Sequence, residues 1–176
     1  MVKQAYFAGG CFWCTESIFQ RIRGVLEVIP GYMGGHIKNP GYREVCNGNT
    51  GHTETVKIIY DQDLVNYGDL LEIFFLTHDP TTINQQGNDF GSQYRSAIFY
   101  NNLEEKNQVE QYIQQLQIEG VFDNPIVTEI NSECPFYEAE IEHHDYYNQN
   151  KDQPYCQFVI SPKIQKLKTI FNQYTV

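Results

Sequence analysis

Residues 53 to 60, TETVKIIY, alternate with a period of two. Glu54, Val56, Ile58 and Tyr60 share one face, and Thr53, Thr55, Lys57 and Ile59 the other. The first face is the more apolar, so the segment reads as a strand. Around it lie stretches with the helical period. Cys14, Ile18 and Ile22 fall on one face of a helix that starts at about Cys11 and is closed by Gly24. Tyr67 to Leu76 is an apolar helix ended by His78-Asp79-Pro80, and Val109, Tyr112, Ile113 and Leu116 form a third stripe. Lys3 to Ala8, Val25 to Ile29, Tyr94 to Tyr100 and Pro125 to Ile130 are further strands. A glycine-rich loop fills residues 30 to 51, with a helical turn near Tyr42 to Cys46, and TTINQQGNDFGSQ is a polar loop. The remainder reads as mostly helical, with Ser161-Pro162 as N-cap and first turn before Ile164, Leu167 and Phe171. Strands alternating with helices predict a sheet covered by helices in two layers.

With 176 residues, 41% of them hydrophobic, the chain is expected to form one globular domain spanning residues 1–176. No apolar run reaches membrane-spanning length, and MVKQAYFAGG has no signal-peptide pattern, so a cytoplasmic location is expected. A net charge of -10 argues against nucleic acid or an anionic membrane as partner. Five cysteines cannot all pair within one chain, so in a reducing compartment they are free unless chemistry uses them.

Cys11-Phe12-Trp13-Cys14 follows a glycine pair. A structural zinc site needs four ligands, whereas the other cysteines are isolated at 46, 134 and 156, and the adjacent His143 and His144 point apart on a helix. A buried cysteine is also an inert small hydrophobe. The first turn of a helix, however, favours a thiolate through its unpaired N–H groups and dipole, and the glycines admit another molecule close to the backbone. Cys14 is open to both core packing and redox chemistry. Glu54 has two readings as well. It is an edge glutamate in solvent, or a partly desolvated acid held protonated near neutrality as a proton donor. A thiolate, such an acid and 13 tyrosines suit a nucleophilic attack that creates an oxyanion, without selecting the reaction.

From the first strand to about residue 160, the chain resembles the A-class peptide methionine sulfoxide reductases. The likeness rests on GCFWC at 10–14, GYMGG at 31–35, YREVCNGNTGHTE at 42–54, HDPTTINQQGNDFGSQYRS at 78–96 and PFYEAEIEHHDYY at 135–147. The resemblance implies an α/β two-layer sandwich with a mixed sheet, related to the ferredoxin-like arrangement. It implies that Cys11 attacks the sulfoxide sulfur, that Phe12 and Trp13 hold the substrate methyl, and that Glu54 protonates the sulfoxide oxygen. Tyr42 and Tyr94 would hydrogen-bond that oxygen and Asp89 would support the polar network. The implied substrate is the S epimer of methionine sulfoxide, free or in oxidised proteins. Cys11 would pass through a sulfenic acid and a disulfide that thioredoxin or another dithiol reduces, with no metal or organic cofactor.

Cysteine at 14 stands where many members have glycine, and PYCQFVISPKIQKLK lacks the glycine-rich tail and paired recycling cysteines of some relatives. Cys156 and Cys14 are therefore both candidates to resolve the sulfenic acid. Cys156 is favoured, because it is expected in a flexible loop whereas Cys14 would bend the first helical turn, and because the resemblance implies a resolving cysteine from this C-terminal region. The chain is expected to act as a monomer. Two rival functions are a thiol–disulfide oxidoreductase on Cys11 and Cys14, and a binder of methionine-rich segments that performs no chemistry.

Overall fold

The computed structural model describes residues 1–176. Six strands form one sheet: β1 (Val2–Ala8), β2 (Val25–Met33), β3 (Thr53–Asp61), β6 (Ala97–Tyr100), β7 (Glu129–Ser132) and β8 (Phe136–Glu138). Between β3 and β6 a separate hairpin pairs β4 (Gln85–Gln86) with β5 (Asp89–Phe90). The order across the sheet is β7-β6-β1-β3-β2-β8. Only β6 and β7 run parallel, so the sheet is mixed, as the resemblance implies. The α-helices are α1 (Phe12–Phe19), α2 (Tyr42–Cys46), α3 (Tyr67–Leu76), α4 (Leu103–Ile118), α5 (Tyr146–Gln149) and α6 (Ser161–Ile170).

Strand alternation decides where the core lies. Along β1, Ala5 and Phe7 face the main core with Ile58 of β3, Phe74 of α3 and Leu167 of α6, while Tyr6 and Ala8 face a small second cluster with Met33 and Phe99. The main core is rich in aromatic contacts: Phe7 lies 4.9 Å from Phe74 and 5.7 Å from Phe19, centroid to centroid. Such pairs contribute about 0.5–1.5 kcal/mol beyond the area they bury. The start of α3 is fixed by a reciprocal cap: Asn66 Oδ1 accepts from the Asp69 N–H at 2.8 Å, and Asp69 Oδ2 accepts from the Asn66 N–H at 3.1 Å.

Several sequence expectations are corrected. Helix α1 stops at Phe19, and Ile22 lies beyond it in an isolated bridge to Thr175. Strand β2 runs on through Pro30 and Gly31 to Met33. Pro30 points its backbone away from β3, its carbonyl accepting from Ala139, so its missing N–H removes no bond to β3. At Gly31 an added Cβ would sit 2.3 Å from the Phe136 ring, so glycine lets β8 close against β2. Strand β6 begins only at Ala97, after a 3₁₀ turn at Ser92–Tyr94, and the strand expected at 125–130 is displaced to Glu129–Ser132. The chain beyond Ile130 is mostly helical, as expected, but also supplies β8. Ser161 caps nothing: the chain reaches it already helical through a π-turn at Cys156–Ile160, and its hydroxyl bonds Tyr147 at 2.7 Å. Pro162 inside a continuous helix cannot donate and crowds the preceding turn, which suits a locally widened helix there. Cys156 is thus in a helical turn and fully buried, not in a loop.

Candidate active site

Cys11 stands between the end of β1 and the start of α1. Gly10 takes φ +97°, and a Cβ there would lie 2.6 Å from Gln86 Cγ, so the β4–β5 hairpin presses directly on the turn before the cysteine. The Gln86 amide is itself locked to Asp79, accepting from its N–H at 3.0 Å and donating to its carbonyl at 2.9 Å. Cys11 is the N-cap of α1, with extended backbone (φ -56°, ψ 125°), and its carbonyl accepts from the Cys14 N–H at 3.0 Å.

Glu54 lies opposite Tyr32 in the β2–β3 register, on the strand face that alternation assigned to it. At 1% exposure it is not a solvent-facing edge residue. Its Oε1 accepts from the Phe12 N–H at 3.0 Å, so a strand carboxyl satisfies one of the free donors at the helix start. Oε2 is buried with no partner. Burial pushes the carboxyl up to about 8, with Asp89 and Cys14 adding to the rise against the Phe12 hydrogen bond. A neutral acid whose second oxygen makes no hydrogen bond within the protein is able to donate a proton.

Burial works against the Cys11 thiolate that the helix start favours. Burial, then the hydrogen bond with Cys14 and the nearby Cys14 and Glu54 charges, push its thiol well above the ordinary value; the Trp13 N–H opposes them and is outweighed. The helix start meets a carboxyl at Phe12, and one remaining N–H cannot offset desolvation of the sulfur. Cys14 moves the other way, to about 7. The hydrogen bond from Cys11 lowers it most, aided by Lys163 and the Tyr155 hydroxyl. Cys11 and Cys14 share this hydrogen bond, so the pair gives up its first proton more readily than its second.

Aromatic rings wall the site. Phe12 is fully buried between Tyr32, at 5.6 Å, and the stacked ring of Tyr42, at 6.3 Å. Glu140 braces both tyrosines, accepting from Tyr32 Oη at 2.8 Å and from the Tyr42 N–H at 3.0 Å. Burial, then the Glu54 charge, raise the Tyr42 and Tyr94 phenols, so both remain neutral donors beside that carboxyl. The Thr53 hydroxyl donates to the carbonyls of Gln93, at 3.0 Å, and Arg95, at 3.1 Å, which ties the turn carrying Tyr94 to the start of β3. Trp13 is half-buried. Its ring stacks on Tyr146 at 3.8 Å and 10°, and its Nε1 donates to His143 Nδ1 at 3.1 Å.

Asp89 is brought near Glu54, but its hydrogen bond is made elsewhere: Oδ2 accepts from Tyr155 Oη at 2.6 Å. The same hydroxyl meets Cys14 Sγ at 3.6 Å. A cavity of about 260 Å³ opens here, lined by Cys11, Cys14, Asp89, Tyr155, Phe158 and Lys163. The structure thus gathers Cys11, Phe12, Trp13, Cys14, Tyr42, Glu54, Asp89 and Tyr94 around one helix start. Tyr32, Glu140, His143, Tyr146 and Tyr155 join them; sequence assigned none of them a part in the reaction, although Tyr32 lies in GYMGG and Glu140, His143 and Tyr146 lie in PFYEAEIEHHDYY. No group of three or more His, Cys, Asp or Glu side chains converges to hold a metal ion.

Comparison with known proteins points to one family. The family model "Peptide methionine sulfoxide reductase" matches residues 3–175. Peptide methionine sulfoxide reductase MsrA of Saccharolobus solfataricus is 49% identical over 170 residues, which cover 97% of this chain and 95% of the relative. Among solved structures, Mxr1 from Saccharomyces cerevisiae in reduced form superposes with a TM-score of 0.80 at 31% identity, covering 88% of this chain and 89% of that one. Mxr1 in complex with Trx2 is similar in fold, with a TM-score of 0.57 at 23% identity and coverage of 81% and 84%.

Proposed function

The chain belongs to the peptide methionine sulfoxide reductase family and reduces methionine sulfoxide; from that premise we propose the residues that carry the reaction. Cys11 is the nucleophile and Glu54 the acid. The sulfoxide oxygen lies against Glu54 Oε2 and the Tyr42 and Tyr94 hydroxyls, with the methyl between Phe12 and Trp13; the S epimer is the proposed substrate on the family resemblance. As the Cys11 sulfur bonds to the sulfoxide sulfur, Glu54 protonates the oxygen. The hydroxyl then passes to Cys11, the thiol proton returns to Glu54, and methionine leaves, with Cys11 as a sulfenic acid. The orphaned buried Oε2 carries this reading, because a protonated oxygen with no protein partner is available to the substrate alone.

Cys14 then resolves the sulfenic acid. The sequence favoured Cys156, on the grounds that a Cys11–Cys14 bond would bend the helix and that Cys156 lay in a loop. Against these two grounds, Cys11 is an extended N-cap outside the helix and Cys156 is buried in a helical turn, and we weigh these placements above the C-terminal resolving cysteine that the family resemblance implies. The Cys14 thiolate attacks Cys11 Sγ, the S–O bond breaks, and the departing hydroxide takes a proton from Glu54 to leave as water. The Tyr155 hydroxyl, in contact with the Cys14 sulfur, can turn its proton from Asp89 to the thiolate for this step. The resulting disulfide passes to an external dithiol. Thioredoxin is the proposed reductant, in keeping with the Mxr1–Trx2 complex. The chain is proposed to do this as a single-domain monomer in the cytoplasm, where a reducing poise keeps its five cysteines free.

The deciding experiment is one turnover with methionine S-sulfoxide and no reductant, followed by peptide mapping. One methionine per chain and a Cys11–Cys14 disulfide are expected. A Cys11–Cys156 disulfide would move the resolving role to Cys156, and release of methionine with Cys11 left as the thiol would remove Cys11 from the chemistry.

A further inference from the structure

Glu16 lies one turn along α1 from the nucleophile and has no part in the proton chemistry, yet it is 2% exposed. Both of its oxygens are occupied: Oε2 accepts from the Asp145 N–H at 2.9 Å and Oε1 from the Tyr146 N–H at 3.4 Å. These N–H groups open α5, a four-residue helix with no side-chain cap of its own. Asp145 takes φ +56°, a left-handed conformation that a non-glycine residue keeps only where its surroundings enforce it. Gln20 adds a hydrogen bond to Asp145 Oδ1 at 3.1 Å, and Arg21 one to Asn148 Oδ1 at 2.7 Å. Helix α1 and the turn that follows it therefore strap α5 down along one side. The residue delivered by that strap is Tyr146, whose ring lies flat on Trp13.

We propose that Glu16 is a positioning residue for the substrate pocket: by capping Asp145 and Tyr146 it keeps the Tyr146 ring against Trp13 and so sets the affinity for the sulfoxide methyl. The inference rests on the reading of Phe12 and Trp13 as the methyl site. A carboxyl can accept from two N–H groups at once, one per oxygen. A glutamine of the same shape accepts one and turns an NH₂ against the other, so Glu16→Gln releases one arm of the cap without opening a cavity. The main core beneath α1 is untouched.

The test uses the full chain and its single tryptophan, Trp13, whose emission reports the stack without any added probe. In Glu16→Gln we expect Trp13 emission to rise and shift to the red as Tyr146 lifts away. In single turnover, the sulfoxide concentration for half-maximal rate should increase roughly two- to tenfold, the scale of one aromatic pair, with the maximal rate nearly unchanged. Tyr146→Leu should reproduce this split with Glu16 in place, and Tyr146→Phe should keep wild-type values because the ring is retained. Unchanged emission in Glu16→Gln, or a fall in maximal rate with no change in half-saturation, overturns the proposal. Trp13→Leu separates the two levels. If it raises half-saturation and Glu16→Gln does not, the positioning proposal alone fails. If Trp13→Leu leaves half-saturation unchanged, the methyl-site reading fails first and takes the proposal with it.

Discussion

Two buried glutamates flank helix α1 and look alike by burial and acidity, yet they do opposite work. Glu54, at the head of the helix, accepts one backbone hydrogen bond and leaves its second oxygen with no partner. Glu16, on the first turns, has both oxygens engaged. Burial pushes Glu54 up to about 8 and Glu16 up to about 7. Acidity therefore does not distinguish them. What distinguishes them is the unsatisfied oxygen. A buried polar atom without a partner costs about 1–3 kcal/mol, and a fold retains it where a ligand supplies the missing partner.

The largest effect expected at the Glu54 end comes from its neighbour. Cys11→Ser should abolish methionine release in single turnover, since the alcohol cannot replace sulfur as nucleophile; turnover near wild type would detach the acid from any reaction. Next, Glu54→Gln should slow methionine release roughly 10²–10⁴-fold, the usual span of general acid catalysis, with little change in half-saturation. An unchanged rate would make Glu54 a structural cap like Glu16.

The pH dependence sharpens the same contrast. Glu54 must be protonated to act, so the single-turnover rate should fall as pH rises through about 8. Its folded pKa lies above the ordinary carboxyl value of 4.5, so between those values the folded state binds more protons than the unfolded one. Stability is then lost as pH rises across that window. Glu54→Gln, always neutral, should gain in Tm relative to wild type between pH 5 and pH 8. A difference in Tm that does not vary with pH would show that Glu54 is already ionised in the fold.

Smaller effects lie on the sulfur side. Tyr155→Phe removes the hydroxyl shared by Asp89 and Cys14, and should slow disulfide formation roughly two- to tenfold, the value of one hydrogen bond, while sparing methionine release. Slowing of methionine release instead would place Tyr155 in the first step. At the bottom of the scale, Cys134→Ser should leave both steps unchanged, because Cys134 packs on the small cluster across the sheet. Loss of methionine release in that variant would mean the two sheet faces are coupled.

Much of this architecture can be read from period and punctuation. The alternation of TETVKIIY by itself puts Glu54 on the more apolar strand face, and Gly9-Gly10 marks the turn that presents Cys11. Where reading failed, neighbours distant in sequence intervened. Strand β2 continues through Pro30 and Gly31 because β3 and β8 are there to pair with it. Ser161 does not cap because the chain arrives already helical.

The residue types at the site are written in the chain: a cysteine where a helix begins, a glutamate on an apolar strand face, and aromatic rings beside both. Their protonation and their partners are not. The helix start, read alone, favours a Cys11 thiolate; Glu54 arrives from β3 to take the Phe12 N–H, and burial pushes the Cys11 thiol up. Asp89 and Tyr155, 66 residues apart, meet over Cys14 only because the β4–β5 hairpin and the π-turn converge on α1. Local sequence determines period, caps and turns, whereas solvation and hydrogen-bond partners depend on what the folded chain packs alongside, and those two quantities set the chemistry of a buried thiol.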